Sequence, residues 1–150
     1  MYSIRAYLDQ DFEALTELWH HVNRASYPYV AVHQAYTLEE ARAYFRERVL
    51  GECRVWLAVD GDGPLGLIAV KEDWIDQLCV APVAQRQGIG AALLARIREV
   101  SPIGLRLFTF QKNLAARSFY EKHGFRPVRF GVSPPPENEP DVEYHWAAGE

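Results

Sequence analysis

Two glycines, Gly88 and Gly90, mark the part of the sequence with the clearest chemical content. They belong to the segment Gln85-Arg86-Gln87-Gly88-Ile89-Gly90, which follows an apolar run ending at Val80 and precedes a helical pattern. Glycines at this spacing let backbone N–H groups approach a pyrophosphate, and the helix N-terminus behind them favours an anion. A dinucleotide motif would need a third glycine where Leu93 stands, and a Walker loop would need Gly-Lys-Ser/Thr. The segment therefore predicts a phosphate-binding turn of another kind.

A second informative segment runs from Asn113 to Phe125 and opens a helix after an apolar strand pattern. Together with the glycine loop it resembles the GNAT family of acetyl-coenzyme A-dependent N-acyltransferases. The resemblance extends from Ile4 to about Trp146 and is sharp from Leu78 onward. It implies that the strand before the loop is bulged and splays from its neighbour, with the pantetheine arm of acetyl-coenzyme A in the gap. The residues assigned to the donor are Leu78, Cys79, Val80, Gln85, Arg86, Gln87, Gly88, Ile89, Gly90, Ala91, Asn113 and Tyr120.

Acyl transfer from a thioester to an amine needs a neutral amine, a stabilised oxyanion and a thiolate that is protonated or tolerated. An alkyl amine has a reference pKa of about 10.4 and a thiol one of about 8.5, so protonation of the leaving group is helpful rather than mandatory. The resemblance implies that Tyr120 is the general acid, and the backbone N–H of Val80 is the expected oxyanion donor. Trp74 stands where some relatives carry a glutamate base. Asp76, on the same strand face, is the candidate general base, with Glu72 or a water chain as alternatives.

Each of these residues also has a purely structural interpretation. Asn113 stands at a helix start, where asparagine is a common N-cap, whereas the resemblance implies a hydrogen bond to the pantetheine arm. Tyr120 also fits an amphipathic helix residue, and Asp76 a solvated carboxylate. A covalent route through Cys79 would need a basic partner, and the neighbouring sequence shows none. We therefore expect direct attack in a ternary complex.

Aromatic residues are the candidate acceptor contacts. The resemblance implies that the acceptor pocket is built from the linker between the first two helices, the strand before the glycine loop and the final strands. Tyr27, Tyr29 and Trp74 present aromatic faces that suit a cationic or aromatic amine through cation–π or stacking contact. The same rings suit the anchoring of loops equally well, so the sequence does not name the acceptor.

The elements that must position these residues follow from apolar periodicity. Helices are predicted from Asp9 or Asp11, from Thr37 with Glu40 in a capping box, and over 88–100 and 113–123, with irregular connections at 25–36 and 131–140. Strands are predicted over 2–7, 53–59, 65–70, 74–80, 104–110, 125–130 and 142–146. This order predicts one α/β domain over residues 1–150, with a mixed, mostly antiparallel central sheet flanked by helices on both faces, as in the GNAT fold.

Composition is that of an ordinary globular protein. Of the 150 residues 49% are hydrophobic and 24% charged, and the net charge of −4 argues against a broad nucleic-acid-binding face. No apolar run approaches a membrane span and no targeting segment is visible, so we expect a cytoplasmic protein with no membrane partner. Cys53 and Cys79 lie in apolar strand patterns, and no Cys/His cluster has metal-ligand spacing, so no metal is expected.

The resemblance and these observations predict an N-acetyltransferase that moves an acetyl group from acetyl-coenzyme A to a primary amine. A small-molecule acceptor is favoured because no broad charged groove for a peptide is evident. The alternatives are a transferase for a longer acyl chain, a non-catalytic module that senses acyl-coenzyme A, and an interaction domain with an incidental glycine turn. Tyr120 favours an enzyme over a sensor. A homodimer formed through a closing edge strand with Tyr144 and Trp146 is a further hypothesis.

Overall fold

One mixed sheet forms the centre of the molecule. The computed structural model describes residues 1–101 and 103–149. Within these ranges the strands are β1 (Ser3–Ala6), β2 (Arg54–Asp60), β3 (Gly63–Lys71), β4 (Trp74–Val80), β5 (Gly104–Phe110), β6 (Arg126–Val132) and β7 (Pro140–Ala147). They pair in the order β1-β2-β3-β4-β5-β7-β6. Neighbours are antiparallel except β4 and β5, which run parallel.

Helices cover both faces of this sheet. The helices are α1 (Phe12–Ser26), α2 (Ala31–Ala35), α3 (Leu38–Tyr44), α4 (Ile89–Val100) and α5 (Leu114–Lys122). A π-helical stretch, Phe45–Leu50, continues α3. The predicted capping box at the start of α3 is confirmed, because the Thr37 hydroxyl accepts from the Glu40 N–H and the Glu40 carboxylate accepts from the Thr37 N–H, both at 3.1 Å.

The helices and the sheet enclose two apolar cores, one on each face. β3 contributes to both cores because its residues 67–70 are all apolar and fully buried, with alternate side chains on opposite faces. The core beneath α1 and α3 contains Leu15, Trp19, Phe45, Leu57 and Leu67 among others. The core beneath α4 and α5 contains Ile68, Leu93, Ile97, Leu107, Tyr120 and Tyr144 among others.

β4 carries a bulge at Asp76. Ala69 of β3 pairs with Gln77 and Val70 pairs with Ile75, so Asp76 is an extra residue on β4. In a regular strand Ile75 and Gln77 would share a face. Here Ile75 packs in the core beneath α4 and α5, whereas the Gln77 side chain contacts α1 on the opposite face. The bulge therefore sends Gln77 toward the α1 side of the sheet.

β4 and β5 separate immediately after this bulge. Their pairing is limited to Trp74 with Arg106 and Ile75 with Leu107. The rest of β4, residues 76–80, and the end of β5, residues 108–110, are not paired with each other among the residues described. The bulge and the splay that the resemblance implied are thus both confirmed.

The predicted bounds of β4 and β5 are those of the structure. Residues 25–36 are not wholly irregular, because α1 continues to Ser26 and α2 occupies Ala31–Ala35. The prediction that the closing strand is an edge strand is wrong. β7, which carries Tyr144 and Trp146, pairs with β5 on one side and with β6 on the other. A homodimer through that strand therefore loses its structural basis, since both of its edges are occupied.

Candidate active site

The glycine loop leaves open space in front of α4. Gly88 is the residue before α4 and has a φ of 80°, a left-handed conformation that favours glycine. A Cβ at Gly88 would meet no atom within 4 Å, and one at Gly90 would make ordinary contacts, the nearest at 3.5 Å from the Phe119 ring. Packing inside the protein therefore does not fill the space beside either glycine, and a ligand can approach the backbone there.

The first turn of α4 presents unpaired N–H groups to that space. No side chain caps this helix, and the Ala92 N–H donates to the Gly88 carbonyl at 3.0 Å. The N–H groups of Ile89, Gly90 and Ala91 precede that bond and have no intrahelical acceptor. The helix dipole adds positive potential at the same place. The loop and helix start together form a site suited to phosphate oxygens.

The residues before Gly88 attach this loop to the sheet. The Gln85 Nε2 atom donates to the Val80 carbonyl at 3.2 Å, which ties the loop to the end of β4. Arg86 has a φ of 67°, and its side chain and that of Gln87 are exposed beside the helix start. Arg86 is therefore the cationic side chain of the loop that is best placed to add charge near a phosphate.

Backbone groups of β4 face the gap between β4 and β5. The Ala81 N–H donates to the Leu65 carbonyl at 2.8 Å. Hydrogen-bonded and non-hydrogen-bonded residues alternate in an antiparallel ladder, so Cys79 also turns its backbone groups to β3. By the same alternation Leu78 and Val80 turn their N–H groups toward β5. Of the three β4 residues assigned to the pantetheine arm, Leu78 and Val80 therefore offer backbone groups to the gap.

Tyr120 reaches the same gap from the α5 side. Its side chain is 7% exposed and packs on Phe125 and Tyr144, at ring separations of 5.4 and 6.3 Å. Burial raises the pKa of Tyr120, and Tyr27 and Cys79, which belong to the opposite face, raise it further. The Tyr120 phenol is therefore close enough to Tyr27 and Cys79 for these groups to affect its pKa. Its hydroxyl stays protonated at neutral pH and is able to donate.

Tyr27 bounds the gap from the α1 side. Its ring lies edge-on to Phe110 of β5, with the centroids 5.1 Å apart. Burial raises the pKa of Tyr27, Cys79 adds to the rise, and hydrogen bonding with the Asn113 side chain opposes it. Asn113 is also the N-cap of α5, because its Oδ1 atom accepts from the Ala116 N–H at 3.1 Å. The N-cap role therefore uses the carbonyl oxygen of Asn113 and leaves its amide nitrogen for other partners.

Asp76 is held at the bulge by a chain of side-chain hydrogen bonds. The Trp19 Nε1 atom donates to Gln77 Oε1 at 3.0 Å, and Gln77 Nε2 donates to Asp76 Oδ2 at 3.2 Å. Although the Asp76 side chain reaches solvent, desolvation by the surrounding protein raises its pKa, and the hydrogen bond from Gln77 partly opposes the rise. A raised carboxylate pKa is a property that suits a general base.

The remaining acceptor candidates, Trp74 and Tyr29, lie apart from each other. Trp74 stacks on Phe108 with the rings 5.1 Å apart, and the Arg106 guanidinium lies 4.3 Å above the Trp74 ring. Trp74 lines a cavity of about 520 Å³ on the far side of Asp76. Tyr29 lines neither this cavity nor the larger one, and its buried hydroxyl has no hydrogen-bond partner within the described ranges. Tyr29 lies behind the cavity wall, where its ring contacts those of Tyr27 and Phe110 at 6.3 and 6.1 Å, and its acceptor role stays a prediction.

A cavity of about 690 Å³ opens beside the gap on the α1 side of the sheet. The β6–β7 connection covers part of it, because Pro134 and Pro136 line its wall and Glu137 of that connection pairs with His33 of α2 at 2.8 Å. Its walls include six aromatic rings and three carboxylates, together with Arg129, whose guanidinium pairs with Glu143, and His33, which pairs with Glu137. The six rings are those of Trp19, Tyr27, Tyr36, Tyr44, Phe108 and Phe110, and the carboxylates are those of Asp76, Glu137 and Asp141.

Sequence reasoning missed Asp141 of β7. Acidic residues stand at every second position from Glu137 to Glu143, and alternate residues of a strand share a face. That spacing was the signal that could have identified Asp141. It was not used, because carboxylates with this spacing usually lie on a solvated face. In the structure Asp141 is 8% exposed and lines the larger cavity.

The split sheet, the open glycine loop and the buried phenol at the gap define the class of coenzyme A-dependent N-acyltransferases. The model of the acetyltransferase (GNAT) domain matches residues 51–127, and the chain belongs to this family. It is therefore an acyltransferase, and family membership supports acetyl transfer from acetyl-coenzyme A. Within the described ranges, no helix has the length and hydropathy to cross a membrane, and no three His, Cys, Asp or Glu side chains gather as metal ligands.

Known proteins similar to this chain carry related names. This chain is 29% identical over 126 residues to the peptidyl-lysine N-acetyltransferase YiaC of Escherichia coli K12. The aligned region covers 83% of this chain and 84% of YiaC. The apo form of YjaB from Escherichia coli has a similar fold, with a TM-score of 0.80, 22% identity and 99% of both chains covered. So does the PaiA N-acetyltransferase of Thermoplasma acidophilum in complex with coenzyme A, with a TM-score of 0.72, 19% identity, and 98% and 99% of the chains covered.

Proposed function

We propose that this protein acetylates a primary amine of a small cationic molecule, by direct attack of the amine on acetyl-coenzyme A in a ternary complex. The main structural support for this proposal is the gap between β4 and β5. The Val80 N–H faces it from β4, the larger cavity opens beside it, and the Tyr120 phenol of α5 is close enough to Cys79 of β4 to be affected by it. Donor, catalytic groups and acceptor would therefore meet at one place.

The described residues fit the donor. The unpaired N–H groups of Ile89, Gly90 and Ala91 would bind its pyrophosphate, with Arg86 adding charge. The backbone of Leu78 and Val80 would pair with the amides of the pantetheine arm, as an added strand pairs with a sheet edge. Residues Gln85, Gln87 and Asn113 would line the same path. The donor supplies a thioester, an acyl group already activated for transfer.

The catalytic groups of the chain then have distinct tasks. The Val80 N–H donates a hydrogen bond to the acyl oxygen as negative charge develops there. The Tyr120 hydroxyl donates a proton to the departing sulfur, because its raised pKa keeps it protonated. Asp76, whose pKa is also raised, accepts the proton of the amine directly or through water. An acceptor that arrives as the ammonium ion loses two protons, of which one matches the proton gained at sulfur and the other is released to solvent.

A covalent route through Cys79 is disfavoured on two counts. Burial raises the pKa of the Cys79 thiol to about 12, so little thiolate exists at neutral pH. The thiol also lies beside two phenols, Tyr27 and Tyr120, rather than beside a base. Direct transfer in a ternary complex follows.

The cavity walls support a cationic amine as acceptor. Carboxylates attract a protonated amine, and aromatic rings bind it through cation–π contact. A lysine side chain of a protein is the second candidate, favoured by the similarity to the peptidyl-lysine N-acetyltransferase YiaC. It is also favoured because the two cavities share Asp76 and Phe108, so an extended acceptor has a second path outward.

Calorimetric titration with acetyl-coenzyme A, coenzyme A and NADH tests the donor. We expect binding of both coenzyme A species and none of NADH. Thiol release from acetyl-, propionyl- and butyryl-coenzyme A with a panel of amines and lysine peptides then tests the reaction and the acyl length. Donor binding without thiol release in the presence of any amine would contradict the proposal and support a sensor of acyl-coenzyme A.

A further inference from the structure

We propose that Asp141 binds a second positively charged group of the acceptor, so that the enzyme prefers linear diamines to monoamines of the same length. This inference rests on the proposed function, because it specifies the amine that enters the larger cavity. It makes Asp141 a specificity-determining residue rather than a catalytic one.

Among the residues that the structure describes, Asp141 has no cationic partner, unlike the acidic residues on either side of it. Glu137 pairs with His33 at 2.8 Å, and Glu139 lies 3.5 Å from Lys112. Glu143 pairs with Arg129 at 3.2 Å and with His145. The Asp141 carboxylate has neither an ion pair nor a side-chain hydrogen bond with another described residue.

Burial makes that missing partner significant. Asp141 is 8% exposed, and a buried carboxylate without a cation is costly to ionise. Burial accordingly raises the pKa of Asp141, its own backbone N–H opposes the rise, and Glu137 and Glu143 add to it. The side chain lines the larger cavity, so a ligand entering there reaches it. A cationic group of the ligand would supply the compensation that the protein does not.

The position of Asp141 assigns it to a group remote from the reacting amine. Asp141 lies opposite Phe110 of β5, and β5 separates it from the Val80 N–H on β4. Two strand spacings amount to roughly 10 Å, and the gap between β4 and β5 adds to that distance. The amine under attack at β4 is therefore not the group bound by Asp141. Phe108 and Phe110 line the cavity between them and suit a chain of methylene groups.

The test compares matched pairs of amines with the wild type and with Asp141→Asn. The probes are putrescine against n-butylamine and cadaverine against n-pentylamine, and the measurement is kcat/KM for thiol release. We expect the wild type to prefer each diamine by about tenfold or more, in line with the effect of removing one partner from a buried charge pair. In Asp141→Asn we expect that preference to disappear, because kcat/KM falls further for the diamines than for the monoamines.

Asp62→Asn is the control, because Asp62 lies in the exposed β2–β3 turn and loses the same charge. It should keep the preference for diamines. Thermal unfolding shows whether Asp141→Asn folds, and Asp141→Glu, which retains the charge, should restore part of the preference. Equal kcat/KM for diamine and monoamine in the wild type, or an equal loss for both in Asp141→Asn, would overturn the inference.

Failure of this inference is distinguishable from failure of the proposed function. Amine turnover without a preference for diamines removes the role of Asp141 and leaves the acetyltransferase intact. If no amine supports thiol release, the proposed function fails. Calorimetric titration of the coenzyme A-bound protein with putrescine and n-butylamine still tests Asp141 in that case, and putrescine that binds no tighter than n-butylamine refutes it. A lysine peptide preferred to every diamine also refutes it.

Discussion

Replacement of Tyr120 by phenylalanine removes one hydroxyl and keeps the packed ring. The ring contacts with Phe119, Phe125 and Tyr144 lie at 5.3 to 6.3 Å and do not involve the hydroxyl. That hydroxyl makes no hydrogen bond to another described residue, so its loss should change the free energy of unfolding by less than about 0.5 kcal/mol. Any loss of activity would then report chemistry and not folding.

The expected catalytic loss follows from the leaving group. General acid catalysis contributes about 10² to 10⁴ in rate, and a thiolate leaves readily because its conjugate acid has a pKa of about 8.5. We therefore expect the lower end, a fall in kcat of about 10²-fold, equivalent to about 2.7 kcal/mol in the activation free energy. KM for acetyl-coenzyme A should change by less than about twofold, because the hydroxyl acts on the departing sulfur.

Tyr144→Phe is the matched control. The Tyr144 hydroxyl donates to the Glu121 carboxylate and accepts from Arg117 at 3.2 Å, so its partners are side chains of α5. Its removal should cost about 1 kcal/mol of stability and leave kcat unchanged. Thiol release at saturating amine, measured across pH, compares the three proteins. A Tyr120→Phe enzyme within about threefold of the wild-type kcat at every pH would refute the general-acid assignment.

Three further predictions concern the loop, the base and the fold. Gly88→Glu should abolish donor binding, since the new side chain would enter the open space before α4. The control Gly61→Glu, in the exposed β2–β3 turn, should bind the donor normally. Calorimetric titration measures both affinities, and equal values would mean that the phosphate site is misassigned. The carboxylate of Asp76 is the basic form, and its pKa is raised, so kcat should fall as pH falls through that raised pKa; an acid limb that persists in Asp76→Asn would assign it to another group. Thr37→Ala should lower the free energy of unfolding by about 1 kcal/mol in denaturant titration, because the Glu40 N–H loses the Thr37 hydroxyl as its acceptor; an unchanged midpoint would show that this cap bond contributes nothing.

Local signals in the sequence predicted most of the helices and strands. The bounds of β4 and β5 follow from short apolar runs that end at turn residues, and Thr37 followed by Glu40 identifies the start of α3. The helix α2 was missed because five residues leave no periodicity to detect. Local patterns therefore predict elements of ordinary length.

Long-range order was harder to infer. The insertion of β7 between β5 and β6 depends on pairing between distant residues, which no local pattern records. For the same reason Asp141 was overlooked. Glu137, Glu139 and Glu143 each have a cationic partner and Asp141 has none among residues 1–101 and 103–149, a difference that the sequence does not record. The donor roles of Leu78 and Val80 remain predictions that the open gap supports.

The two-residue junction between β4 and β5 also bears on how the protein holds together. Strands β1 to β4 pair in sequence, as do strands β5, β7 and β6, whereas among the described residues of β4 Trp74 and Ile75 alone pair with β5. A donor that lies in the gap and pairs with Leu78 and Val80 would therefore connect the two halves of the sheet. The two halves of the sheet would then unfold together rather than separately. Amide hydrogen exchange would slow in both β4 and β5 when the donor binds.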